Sequence, residues 1–92
     1  MIQIELRLFG VYRKYVKNSN SVHFELDDSI AVITAHEIKK KLAIYLSQFP
    51  ASHSDIELIA DSAIANEKKI LFPEEQILNS CSLAILPPVC GG

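Results

Sequence analysis

Ninety-two residues suffice for one domain with a modest core, but not for a domain that also encloses a multi-residue active site. With 49% hydrophobic and 22% charged residues the composition excludes a disordered tail and favours a domain that folds alone. Nine basic against eleven acidic residues give a net charge of -2, which offers no broad positive surface to nucleic acid or anionic lipid; with no leader-like start and no long apolar run, the expectation is a cytoplasmic protein without a nucleic-acid or membrane partner.

Ile2, Ile4, Leu6 and Leu8 alternate with Gln3, Glu5 and Arg7, the period of a strand with one buried face. After Phe9 and Gly10 comes a basic and aromatic segment, Tyr12 to Tyr15, then the turn-like run Asn18, Ser19, Asn20, Ser21. Val22, Phe24 and Leu26 alternate again, which predicts a second strand antiparallel to the first across a loop too long for a tight hairpin. Thr34 and Glu37 have capping-box spacing, so a helix is expected from Thr34. Ile38, Leu42, Tyr45, Leu46 and Phe49 form its apolar stripe, Lys39, Lys40, Lys41 and Gln48 lie mostly off it, and Pro50 ends it.

The stretch from Ile56 to Ala65 is expected to be one bent strand, or a strand plus an irregular stretch. Asn66 to Lys69 reads as a turn, Ile70 to Phe72 as a short strand and Pro73, Glu74, Glu75 as the start of a short helical turn. Leu83 to Leu86 is an apolar run suited to a central strand covered on both faces. The order is strand, strand, helix, then three strands, an α+β class. Two prolines then halt the sheet and two glycines lack side chains to pin them, so residues 1–86 are expected to be the domain and 87–92 a projecting, mobile tail.

Several side chains have simple roles. Cys81 and Cys90 lack C-x-x-C spacing, and an extended segment would hold them about 30 Å apart, so no internal disulfide is expected. Neither pairs in sequence with His23, His36 or His53, which read as ordinary surface or partly buried histidines, and no metal site is expected. Cys81 reads as a turn residue at the core's edge. The three consecutive lysines read as a solvated face, with Glu37 and Lys41 as a weak helical pair. Arg13, Lys14 and Lys17 with Tyr12 and Tyr15 could form an aromatic and basic contact patch.

The tail carries the chemistry. Glycine, lacking Cβ, can enter a narrow channel, so a Gly91-Gly92 end after a stiff Pro87-Pro88 exit suits a terminus that another protein must reach. A carboxylate is a poor acyl donor until an adenylyl group from ATP supplies a leaving group, so a partner must bring ATP.

The segment Leu83-Ala84-Ile85-Leu86-Pro87-Pro88-Val89-Cys90-Gly91-Gly92 resembles the end of the MoaD/ThiS family of sulfur carriers, particularly the MoaD branch with its Pro-Pro-Val-x-Gly-Gly ending. Ala65-Asn66, the following turn and Ile70 to Pro73 are similar to that family's fourth-strand region, and Ile2 to Phe9 to its start. The resemblance implies a β-grasp (ubiquitin-like) fold, a mixed sheet on one main helix. It also implies a cycle on Gly92: a ThiF/MoeB-like activating enzyme adenylates the carboxylate with ATP, and a sulfur donor converts it to a thiocarboxylate. In the MoaD branch a molybdopterin synthase large subunit accepts the tail and uses the sulfur of two successive carriers to make the dithiolene of molybdopterin. The chain itself would be a carrier or small subunit, not an enzyme and with no bound cofactor. Gly91 and Gly92 would be the reacting end; Pro87, Pro88, Val89 and Cys90 would meet the partners. Cys90 departs from the small hydroxyl or glycine residue more common there. Three alternatives are a carrier for thiamine, cysteine or homocysteine synthesis, a ubiquitin-like modifier joined to target lysines, and an interaction module whose tail is never activated.

Overall fold

A computed structural model describes residues 1–16, 20–27, 29 and 32–88. The alternating opening forms strand β1, Ile2–Leu8, with its four even-numbered aliphatics buried. β1 pairs antiparallel with β2, Ser21–Leu26, in an unbroken register from Ile2 opposite Leu26 to Arg7 opposite Ser21. The helix α1 spans Ala35–Leu46, and Thr34 is its N-cap: its side-chain oxygen accepts from the Glu37 amide at 3.3 Å. A second helix α2, His53–Ile59, is followed by the short strands β3, Ala63–Ala65, and β4, Ile70–Leu71, and by β5, Cys81–Leu86.

The strands form one sheet in the order β2-β1-β5-β3-β4. β5 runs parallel to β1 and antiparallel to β3, so the sheet is mixed and β5 is its centre. α1 covers one face: Ile38, Leu42 and Leu46 are fully buried in one cluster with Ile4, Leu6, Leu8 and Ile85. Burying each such aliphatic side chain is worth about 1.5–3 kcal/mol, which makes this layer the main source of stability. The arrangement is the expected β-grasp fold, with α1 as its main helix.

The structure corrects several expectations. Ile56 to Ile59 is the second half of α2 rather than a strand. Asp55 and Ile59, four residues apart, both face inward, and the Ile56 amide donates to the Ser52 carbonyl at 2.9 Å. The helix stripe outruns its helix: α1 closes at Leu46, and Phe49 packs on the core from a turn completed by Ala51 at φ 62°. Residues 73–75 form a turn without a helix, closed by the Glu75 amide on the Phe72 carbonyl. Cys81 opens β5 instead of preceding it. Glu37 pairs with Lys40, one turn residue earlier than Lys41, at 3.6 Å. No described helix is long and apolar enough to cross a membrane.

Candidate functional site at the exit of the central strand

Because β1 and β5 are parallel, with Leu8 opposite Ile85, both finish at the same end of the sheet. There the chain leaves β5 through Pro87 and Pro88, both half-buried, beside the start of a short 3-10 helix, Gly10–Tyr15. Gly10 has φ +60°, and a Cβ built on it would lie 2.7 Å from Pro87 Cγ. Two demands therefore meet at one residue: a backbone angle disfavoured for side chains, and a gap that the proline ring fills. Only glycine satisfies both. Sequence reading passed over Gly10, whose one visible signal was its isolated place directly after a strand.

The 3-10 helix that carries Gly10 is anchored from behind by polar contacts. Tyr12 is fully buried and its hydroxyl lies 2.6 Å from Ser62 Oγ; that serine in turn donates to the Leu58 carbonyl at 3.0 Å, so Tyr12 supplies the proton to Ser62. Tyr15 donates to the buried Asp55 carboxylate, which Lys14 also contacts at 2.8 Å. Tyr45 donates to the Tyr15 carbonyl at 2.9 Å, and the rings of Tyr15 and Tyr45 each meet Phe49 edge to face, with centroids 5.1 and 5.3 Å apart. Lys14, with Tyr15 behind it, holds the Asp55 carboxyl below the usual carboxylate range, while burial, reinforced by Asp55, pushes the Tyr15 hydroxyl up to about 12.

These contacts overturn the aromatic and basic patch. Tyr12 and Tyr15 face the core and serve the fold, and of the three basic residues Lys17 lies outside the described residues. Arg13 remains on the surface, where with Arg7, Phe9 and Asn20 it lines a cavity of about 410 Å³ that also takes in Leu8 at the end of β1. On the outer face of the sheet Glu5 accepts from Ser82 at 2.8 Å and from Ser21 at 3.2 Å, hydrogen bonds that lower its carboxyl pKa. His23, His36 and His53 are all exposed. Cys81 is a free, exposed thiol at the opposite end of β5, with its pKa raised by burial, which disfavours the reactive thiolate.

Of the residues expected to act, the structure places Pro87 and Pro88. Val89, Cys90, Gly91 and Gly92 lie outside the described residues. No family model and no curated protein matches the sequence. Solved structures do resemble it over nearly the whole length. SAMP1 from Haloferax volcanii is 23% identical with a TM-score of 0.66, the alignment covering 98% of this chain and 99% of that one. A candidate molybdopterin converting factor subunit 1 from Pyrococcus furiosus is 15% identical with a TM-score of 0.69, covering 97% and 100%. At these identities the likeness is one of fold, and it identifies the chain as a β-grasp domain of the same extent as both.

Proposed function

We propose that this protein is a sulfur carrier whose Gly92 carboxylate is activated by a partner enzyme and converted to a thiocarboxylate. The observation that carries the reading is the sequence Pro87-Pro88-Val89-Cys90-Gly91-Gly92 following directly on the central strand of a β-grasp domain. In the proposed cycle the carboxylate attacks the α-phosphate of ATP, held by a ThiF/MoeB-like enzyme, and pyrophosphate leaves. Sulfide delivered by a sulfur donor then attacks the acyl carbon and expels AMP, which leaves the thiocarboxylate. The chain supplies the acyl group and a recognisable surface, and the catalysis resides in the partners.

The likeness to a candidate molybdopterin converting factor subunit supports molybdopterin formation as the pathway, with a molybdopterin synthase large subunit as the partner that receives the tail. Incubation with the activating enzyme, ATP and a sulfur source, followed by intact-mass measurement, should show a gain equal to replacing one oxygen by sulfur. Deletion of Gly91 and Gly92 should abolish that gain and leave the circular dichroism spectrum unchanged. An unaltered mass for the full-length chain would sink the reading. The second reading, a ubiquitin-like modifier joined through Gly92 to target lysines, is favoured by the likeness to SAMP1. Cross-linked peptides between Gly92 and lysine in cell extract would select it.

A further inference from the structure

β2 is one edge of the sheet, and its open side can be read residue by residue. The Leu8 amide donates to the Asn20 carbonyl at 2.7 Å, which continues the register of Leu6 with Val22 and Ile4 with Phe24. In an antiparallel ladder, pairs that exchange hydrogen bonds alternate with pairs that do not. Val22, Phe24 and Leu26 therefore turn their peptide groups toward β1, and His23 and Glu25 turn theirs away. The parity is supported on the far side of β1, where the Gln3 amide points toward β5 and donates to Ser80 Oγ at 2.9 Å. Neither His23 nor Glu25 has a backbone partner on that open side among the described residues.

Apart from the carboxylate of Glu25, this edge lacks the features that keep edges single. Six residues run without proline, lysine or a bulge, where such devices ordinarily block pairing with another strand. Phe24 belongs to the inward set with the buried Val22 and Leu26, yet it remains half-buried at the rim of the core.

We propose that β2 pairs antiparallel with β2 of a second copy about a two-fold axis at Phe24, joining two five-stranded sheets into one. The argument for this occupant is complementarity. With Phe24 opposite its counterpart, His23 faces Glu25 of the second copy and Glu25 faces His23, an imidazole donor against a carboxylate acceptor at both places. Each of these pairs also exchanges two backbone hydrogen bonds through the groups left open on the single chain. The same axis places Val22 opposite Leu26, so the apolar sets of both copies share one face. The neighbouring symmetric registers bring His23 onto His23 or Glu25 onto Glu25, like against like. On the outer face His23 also lies 3.7 Å from Glu5, so a second carboxylate lies beside the imidazole. Gly10 and Pro87 are not on this edge, and the pairing stands independently of what the tail does.

Sedimentation of the full chain from about 10 μM to about 1 mM, a range that captures weak self-association, tests this. A species of twice the 10.3 kDa mass is expected. His23→Glu and Glu25→Lys, both at exposed positions, should each be monomeric, and an equimolar mixture should restore the two-chain species because each new charge then meets its opposite. In the unmodified protein, the amides of His23 and Glu25 should exchange with solvent at least tenfold faster on dilution to the monomer. A wild-type monomer throughout that range, a dimer that survives either single substitution, or a mixture that fails to reassociate would each overturn the pairing.

Discussion

The layer between the sheet and α1 and the seam behind the 3-10 helix are both buried, but they hold the molecule by different means. In the layer, Ile4, Leu6, Leu8, Ile38, Leu42, Leu46 and Ile85 contribute apolar area alone, so apolar side chains of similar volume would serve. In the seam, Tyr12, Ser62, Tyr15, Asp55 and Lys14 are joined atom to atom, and each hydroxyl or carboxylate has its partner. The layer supplies stability. The seam fixes where the 3-10 helix sits, and with it Gly10, against which the base of the tail is packed. Both are needed, since area alone would not hold the exit of the central strand in one position.

The largest effect is expected in the layer. Leu42→Ala should lower the unfolding free energy by about 2–5 kcal/mol, measured as a shift of the urea midpoint without a change of slope, because it removes a fully buried side chain and leaves a cavity. Asp55→Ala should cost about 1–3 kcal/mol, the penalty for leaving the Tyr15 hydroxyl buried without its acceptor. Adding Tyr15→Phe should return part of that loss, since no orphaned hydroxyl then remains. If the two changes were simply additive, the seam would be no more than a second apolar layer.

That contrast also explains which parts of the fold were legible. β1, β2 and α1 announce themselves because their buried residues recur at periods of two and of three to four, and Thr34 marks the helix start. α2 does not, because its inward face carries Asp55 and Ile59, and a buried acid is invisible to a search for apolar periodicity. Tyr12 and Tyr15 look like surface residues when read beside Arg13 and Lys14; only the placement of Ser62 and Asp55, 50 and 40 residues away in sequence, shows that they face inward. Pro87 and Pro88 were legible as the exit by proline chemistry, whereas the seat of Pro87 on Gly10 depends on the parallel pairing of β1 with β5 and could not be read from either segment.

The seat gives a smaller effect with a sharper location. Gly10→Ala should cost about 1–2 kcal/mol for the backbone angle, and the added methyl group would meet Pro87 at 2.7 Å unless the proline ring shifts. Chemical shifts around Pro87, Phe9 and Tyr12 should change while those of α1 stay fixed. Changes spread through α1 would mean that the exit and the core are one unit rather than two.

The smallest effect is also the one that separates charge from hydrogen bonding within the seam. Lys14 approaches Asp55 at 2.8 Å but its side chain is 61% exposed, so near neutral pH Lys14→Ala should cost below about 1 kcal/mol. Whatever the lysine contributes through Asp55 should vanish in acid. The Asp55 carboxyl is lowered in the folded state by Lys14 first and Tyr15 second, so its contribution is fully present above the carboxyl's ordinary pKa and is lost as pH falls through the lowered folded value. Removing Lys14 brings the folded value back toward the ordinary one, which narrows that window and moves the acid loss of stability to higher pH. Urea midpoints followed from neutral pH down to about pH 2, a span that brackets the ordinary carboxylate range, should therefore give converging curves for the two proteins once Asp55 is protonated in both. Curves that stay parallel would show that the lysine stabilises the seam through its ammonium over the Tyr15 ring, 5.5 Å from the centroid, and not through Asp55.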